Sequence, residues 1–122
     1  MNKTTKHSAT YPDRLHHVKE CSKTLAAAHP AMMEAFERLH QVAGATNALD
    51  RKTKELMALA ISVTAGCDDC IAHHVHDAIK AGATREEFAD TLGLAVLMGG
   101  GPSMIYASHA IEAVDQFFEL AG

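Results

Sequence analysis

Breakers divide this chain into segments of helical length, and that division constrains its fold more than anything else in it. Pro30, the stretch Gly44–Leu49, Gly66, Gly82 and the run Gly99-Gly100-Gly101-Pro102 are the interruptions. Between them, apolar residues recur every three or four positions, as they do along one face of a helix. No segment alternates with period two for long, and β-branched residues are sparse, so strands are not expected. The spacing predicts an all-α fold of about six helices, roughly 12–28, 31–43, 51–65, 67–81, 85–98 and 103–120. Residues 1–11 read as a flexible N-terminal tail, and 12–122 as a single all-helical domain.

Several boundaries have a visible cause. Asp50 can cap the helix that starts at Arg51. Thr84 and Glu87 have capping-box spacing. Gly82 suits the left-handed position at a helix end. Gly66 alone separates the third and fourth segments, so Cys67 and Cys70 fall in the first turn of a helix.

The 122 residues are 48% hydrophobic, enough for one core. The formal net charge of −4 offers no basic footprint for nucleic acid. The N-terminus has no apolar stretch of the kind a secretory signal carries, and no run approaches the length that spans a bilayer, so no membrane partner is expected and a cytoplasmic location is. Two segments, LMALAISV after Arg51 and LGLAVLMGG from Leu92, are apolar nearly all round. A domain this small cannot hide both, and we expect the excess face to be a subunit interface of a homo-oligomer.

Three cysteines are too odd a number for a disulfide framework, but Cys67-x-x-Cys70 reads as redox or metal chemistry. On a helix, Cys67, Cys70 and His74 fall along one stripe beside the apolar face of Ile71, Val75, Ala78 and Ile79. His73 and His76 project to the opposite, wet side in this reading. Positions i and i+3 bring α-carbons to about 5 Å, within reach of a disulfide. Cys70 and His74 are neighbours at i and i+4, whereas Cys67 and His74 are two turns apart. His74 therefore pairs with Cys70 as its base, and Cys67 closes the disulfide. A helix N-terminus favours the thiolate, while Asp68 and Asp69 oppose it.

Other readings stay open on residues alone. Cys67, Cys70 and His74 supply only three of the four ligands of a structural zinc site, and beyond His76 the one later histidine is His109. Cys21 reads as buried and inert. Glu55, at the edge of the Leu56, Leu59 and Val63 face, is either a surface ion pair with Arg51 or Lys52 or a partly buried carboxylate facing the thiol helix.

Glu55, the step to Cys67 and the run C-D-D-C-I-A-H-H, followed by K-A-G-A-T, E-E-F and M-G-G-G, form a longer pattern. It resembles the AhpD-like alkylhydroperoxidase and carboxymuconolactone decarboxylase family over roughly residues 30–118. The resemblance implies an all-helical trimer or hexamer with no bound cofactor or metal. It implies that Cys70 attacks a peroxide, that Cys67 resolves the product as a disulfide, and that Glu55 and His74 relay the proton. The substrate would be a peroxide or a disulfide, and the reductant a dithiol on a lipoyl- or thioredoxin-like protein. The best-known peroxidase members carry a histidine just before the second cysteine, where this chain has Asp69. That departure leaves general disulfide-reductase activity open beside peroxidase activity. The alternatives are a lactone decarboxylase, a branch that usually lacks the cysteine pair, and a metal-binding helical oligomer without turnover.

Overall fold

The computed structural model describes residues 9–121, and over them the chain is six α-helices with no strand. They are α1 (Tyr11–Ala28), α2 (Pro30–Gly44), α3 (Arg51–Ala65), α4 (Asp68–Lys80), α5 (Arg85–Gly99) and α6 (Gly101–Ala121). The all-α expectation holds, and the boundaries agree within two residues. Of the proposed tail, residues 1–8 lie outside the described residues. Thr10 and Tyr11 belong to α1, as its cap and first residue.

The starts of α1, α3 and α5 each have a local side-chain acceptor for a free backbone N–H. Thr10 and Asp13 form a capping box on α1, and Thr84 and Glu87 form the expected one on α5. The Asp50 carboxylate accepts the Thr53 N–H at 2.8 Å. Pro30 begins α2, where the missing N–H costs nothing. Gly66 ends α3 in the left-handed region at φ 69°, and the Tyr106 ring lies 3.3 Å from where a Cβ would stand. A side chain there would be strained and crowded, so the joint that aims Cys67 requires glycine.

Helices α3 to α6 make the core. Leu59 and Val63 of α3, Ile71 and Val75 of α4, Phe88 of α5 and Val114 of α6 are fully buried together. Each such side chain contributes about 1.5–3 kcal/mol by leaving water. Helix α1 lies on α4 and α6, held by the buried Tyr11 and Leu15. Helix α2 packs mainly on α1, touches α3 little, and has no buried residue at all. The apolar excess expected of α3 and α5 faces outward: Met57, Ile61, Leu94, Leu97 and Met98 are all exposed. Met104 and Ile105 of α6 are exposed as well. No helix among the described residues is long and apolar enough to cross a membrane.

Candidate functional site

The Gly66 turn delivers Cys67 as the N-cap of α4, and its Sγ accepts the Cys70 N–H at 3.2 Å. Cys67 and Cys70 are joined as a disulfide across an α-carbon separation of 5.2 Å. Cys70 is the more exposed of the two and lines a cleft of about 770 Å³ between α1, α2 and the first turns of α4. Val18, Ala26, Met33 and Phe36 give the cleft an apolar wall, and Lys19, Lys23, Glu37 and Gln41 supply polar groups.

Glu55 is buried rather than paired with Arg51 or Lys52; it is only 4% exposed, and Lys52 turns instead to Glu87 at 2.8 Å. The Nδ1–H of His74 donates to Glu55 Oε1 at 2.9 Å, bridging α4 and α3. A carboxylate on one ring nitrogen fixes the tautomer and leaves Nε2 as the other functional atom. His74 lines the cleft beside Cys70, so the structure brings Glu55, His74 and the cysteine pair into one site.

The two acids of the motif are occupied. Asp68 Oδ1 accepts from the Tyr11 hydroxyl at 2.8 Å and from His109 Nδ1–H at 3.0 Å. Burial, with the hydrogen bond to Asp68 and its charge, holds the Tyr11 hydroxyl far above its ordinary pKa, so it remains a donor. Asp69 meets the Arg14 guanidinium at 3.3 Å, and that cation stands 5.4 Å from the centre of the Tyr11 ring. The negative charge beside Cys70 thus has a counter-charge from α1.

Two expectations are corrected. His73 does not face away from the cysteines: it lines the same cleft, with its ring edge-on to His74 at 5.0 Å and to His40 of α2 at 5.7 Å. It belongs to the cleft because α2 forms the opposite wall and sets His40 against it, which no periodicity within α4 reveals. His76 does lie elsewhere, against Phe117 at 5.7 Å. Cys21 is exposed, not buried, with His17 Nε2 at 3.5 Å from its Sγ, because nothing among the described residues covers that face of α1.

Sequence reasoning also missed His40, Arg14 and Asp77. Of these only Asp77 left a readable signal, its i, i+4 spacing from His73, and the two are 3.2 Å apart. Burial, with the neighbouring rings of His74 and His40, pushes the His73 pKa below its ordinary value although Asp77 opposes this. Burial pushes Asp77 up, but a hydrogen bond from His76 and the nearby imidazoles outweigh it and leave the carboxyl below its usual range. His73 and Asp77 stand within ion-pair distance without a hydrogen bond between them, and the hydrogen bond that Asp77 accepts comes from His76 Nδ1–H at 2.9 Å. Among the described residues, no group of three or more His, Cys, Asp or Glu side chains is set to hold a metal ion.

Comparison with known proteins shows the family. Residues 30–113 match the model of the carboxymuconolactone decarboxylase family. An uncharacterized protein of Cupriavidus necator is 39% identical over 102 residues, 84% of this chain and 90% of that one. The alkyl hydroperoxide reductase AhpD of Mycolicibacterium paratuberculosis is 33% identical over 63 residues, 52% of this chain and 35% of that protein. A solved structure of a carboxymuconolactone decarboxylase family protein from Legionella pneumophila superposes with a TM-score of 0.85 at 41% identity, covering 88% of this chain and 96% of that one. One from Thermotoga maritima, described as possibly involved in antioxidative response, gives 0.79 at 26% identity, covering 88% and 92%. With its family match spanning most of the helical core and all of the cysteine helix, the chain belongs to the carboxymuconolactone decarboxylase family.

Proposed function

We propose that this chain is a thiol–disulfide oxidoreductase of the AhpD type, which reduces a peroxide or a disulfide through Cys67 and Cys70. One observation carries the reading: the pair is closed as a disulfide at a cleft, beside a histidine whose far nitrogen is held by a buried carboxylate. In the reduced form, His74 takes the Cys70 thiol proton and Glu55 stabilises the imidazolium that results. The Cys70 thiolate attacks a peroxide oxygen, the O–O bond breaks, and the leaving alkoxide takes up the proton as an alcohol. Cys67 then displaces hydroxide from the Cys70 sulfenic acid, forming the disulfide and water. A dithiol, such as a lipoyl- or thioredoxin-like protein carries, returns two electrons and two hydrogens. The lactone decarboxylase branch usually lacks the pair, so both cysteines argue against that alternative.

The protein works as a homo-oligomer in this reading, a trimer or hexamer, and in the reducing cytoplasm. The outward Leu94, Leu97 and Met98 of α5 support assembly, since a monomer would leave them in water.

The test is turnover of an organic hydroperoxide with a dithiol, followed by mass spectrometry. The wild-type chain is expected to lose two hydrogens within the Cys67–Cys70 peptide on mild peroxide treatment, and Cys70→Ser to abolish turnover. Full activity in that variant, or activity that survives loss of both cysteines, overturns the reading.

A further inference from the structure

Cys70 has a base in His74, but Cys67 must also give up a proton when it closes the disulfide. His74 stands two turns beyond Cys67, about 10 Å along the helix, and Cys67, unlike Cys70, does not line the cleft. The side chains set around Cys67 come from α6. The Tyr106 ring lies 3.3 Å from where a Cβ of Gly66 would stand, and His109 Nδ1–H donates to Asp68 Oδ1 at 3.0 Å. Gly66 and Asp68 are the residues on either side of Cys67, each about 3.8 Å from it between α-carbons. The two α6 rings meet edge-on at 5.0 Å, so one face of α6 brackets the cysteine. A carboxylate only accepts, so Nδ1 of His109 carries the hydrogen and a neutral ring has its lone pair on Nε2. Asp68 is itself held by the Tyr11 hydroxyl at 2.8 Å, and the His109 side chain is a little over one-third exposed. A carboxylate and a histidine on neighbouring helices thus meet at the Cys67 turn as Glu55 and His74 do in the cleft.

We infer that His109, oriented by Asp68, is the base that takes the Cys67 proton when the disulfide closes. Given the thiol–disulfide reading above, on which this depends, each cysteine then has its own carboxylate–histidine pair. Glu55 and His74 prepare Cys70 for the peroxide, and Asp68 and His109 prepare Cys67 for the sulfenic acid. The Cys67 thiol gives its proton to His109 Nε2, and its sulfur bonds to Cys70 Sγ as the S–O bond of the sulfenic acid breaks. The leaving hydroxide takes up one proton and departs as water, and the imidazolium returns one to solvent. The sum is one thiol and one sulfenic acid to one disulfide and one water. Asp68 and Tyr11 are positioning residues here, because they act only through His109.

The test separates the two steps in the reduced, full-length protein at pH 7. Loss of one equivalent of an organic hydroperoxide reports the attack by Cys70. Labelling with dimedone, read by mass spectrometry, reports how long the Cys70 sulfenic acid lasts. His109→Gln keeps an N–H for Asp68 but cannot carry a proton. It is expected to lengthen the sulfenic acid lifetime about tenfold or more while changing the rate of hydroperoxide loss less than about threefold. Asp68→Asn should show the same selectivity at smaller amplitude, and it carries the test if His109→Gln fails to fold. An unchanged lifetime, or equal slowing of both steps, overturns the inference. Cys67→Ser, which cannot close the disulfide, is measured first; if no sulfenic acid can be trapped in it, the functional reading is overturned instead.

Discussion

His74 and Glu55 meet at 2.9 Å across nineteen positions of sequence, with the carboxylate almost wholly inside the protein. A buried acid held by one ring nitrogen makes the other nitrogen a stronger base. Glu55→Gln keeps the volume and an acceptor oxygen but removes the charge. Oxidation of the reduced pair by hydroperoxide should slow by roughly ten- to a hundredfold with the circular dichroism unchanged. Glu55→Ala should in addition lower stability by about 1–3 kcal/mol, because it leaves the His74 N–H without its partner; urea unfolding reads this.

Arg14 and Asp69 set the charge beside Cys70. Asp69→Asn removes a negative neighbour, so more of the reduced Cys70 is thiolate at a given pH, and alkylation by iodoacetamide at pH 7 should run about two- to threefold faster. Arg14→Ala uncovers the same carboxylate and should slow alkylation. The pair is largely exposed, so both effects should shrink in high salt.

Tyr11→Phe removes the hydroxyl that donates to Asp68 but keeps the buried ring. A lost hydrogen bond to a charged acceptor predicts destabilisation of about 1.5–3 kcal/mol. Phe88→Ala, in the centre of the core, should cost more, about 3–5 kcal/mol. Thermal unfolding should rank them in that order.

His73 supplies a pH dependence of stability. Its folded pKa is depressed by burial, with His40 and His74 adding and Asp77 and Glu55 opposing. The unfolded chain therefore binds a proton first as pH falls below the ordinary histidine value of about 6.5, and the folded state loses stability from there down to the folded pKa. The melting temperature should fall across that interval, and His73→Gln should flatten the slope. An unaltered slope in the variant would assign the effect to other histidines.

Leu97 and Met98 are among the most exposed apolar side chains of the protein. Leu97→Glu should lower the molar mass measured by light scattering, through loss of an interface that cannot bury a charge. An unchanged mass would move the interface off α5.

The order of the helices and the way each one starts were legible because their causes are local. A cap needs three neighbouring residues, and the Gly66 turn needs one. The stripe of Cys67, Cys70 and His74 is a property of α4 alone and was equally readable. What was not legible depends on which helix covers which face. Glu55 is buried because α4 lies over it, and His73 belongs to the site because α2 forms the far wall of the cleft it lines. Cys21 is exposed because the outer face of α1 is bare. Asp68 finds Tyr11 and His109 at separations of 57 and 41 residues, which no spacing rule spans. The family pattern supplied Glu55 where periodicity did not, and it was silent about His40, His73 and Asp77.

Helix α2 supplies Met33, Phe36 and His40 to the cleft yet buries no side chain of its own. Such a wall is only as firm as its neighbours, and in the proposed oligomer the exposed Phe36, Leu39 and Val42 of α2 would be open to a second subunit. Dilution below the assembly constant would then loosen the substrate cleft before it unfolds the helices around the disulfide. Specific activity would fall with protein concentration while the helical signal stayed constant, so concentration itself would set how much of the protein is competent.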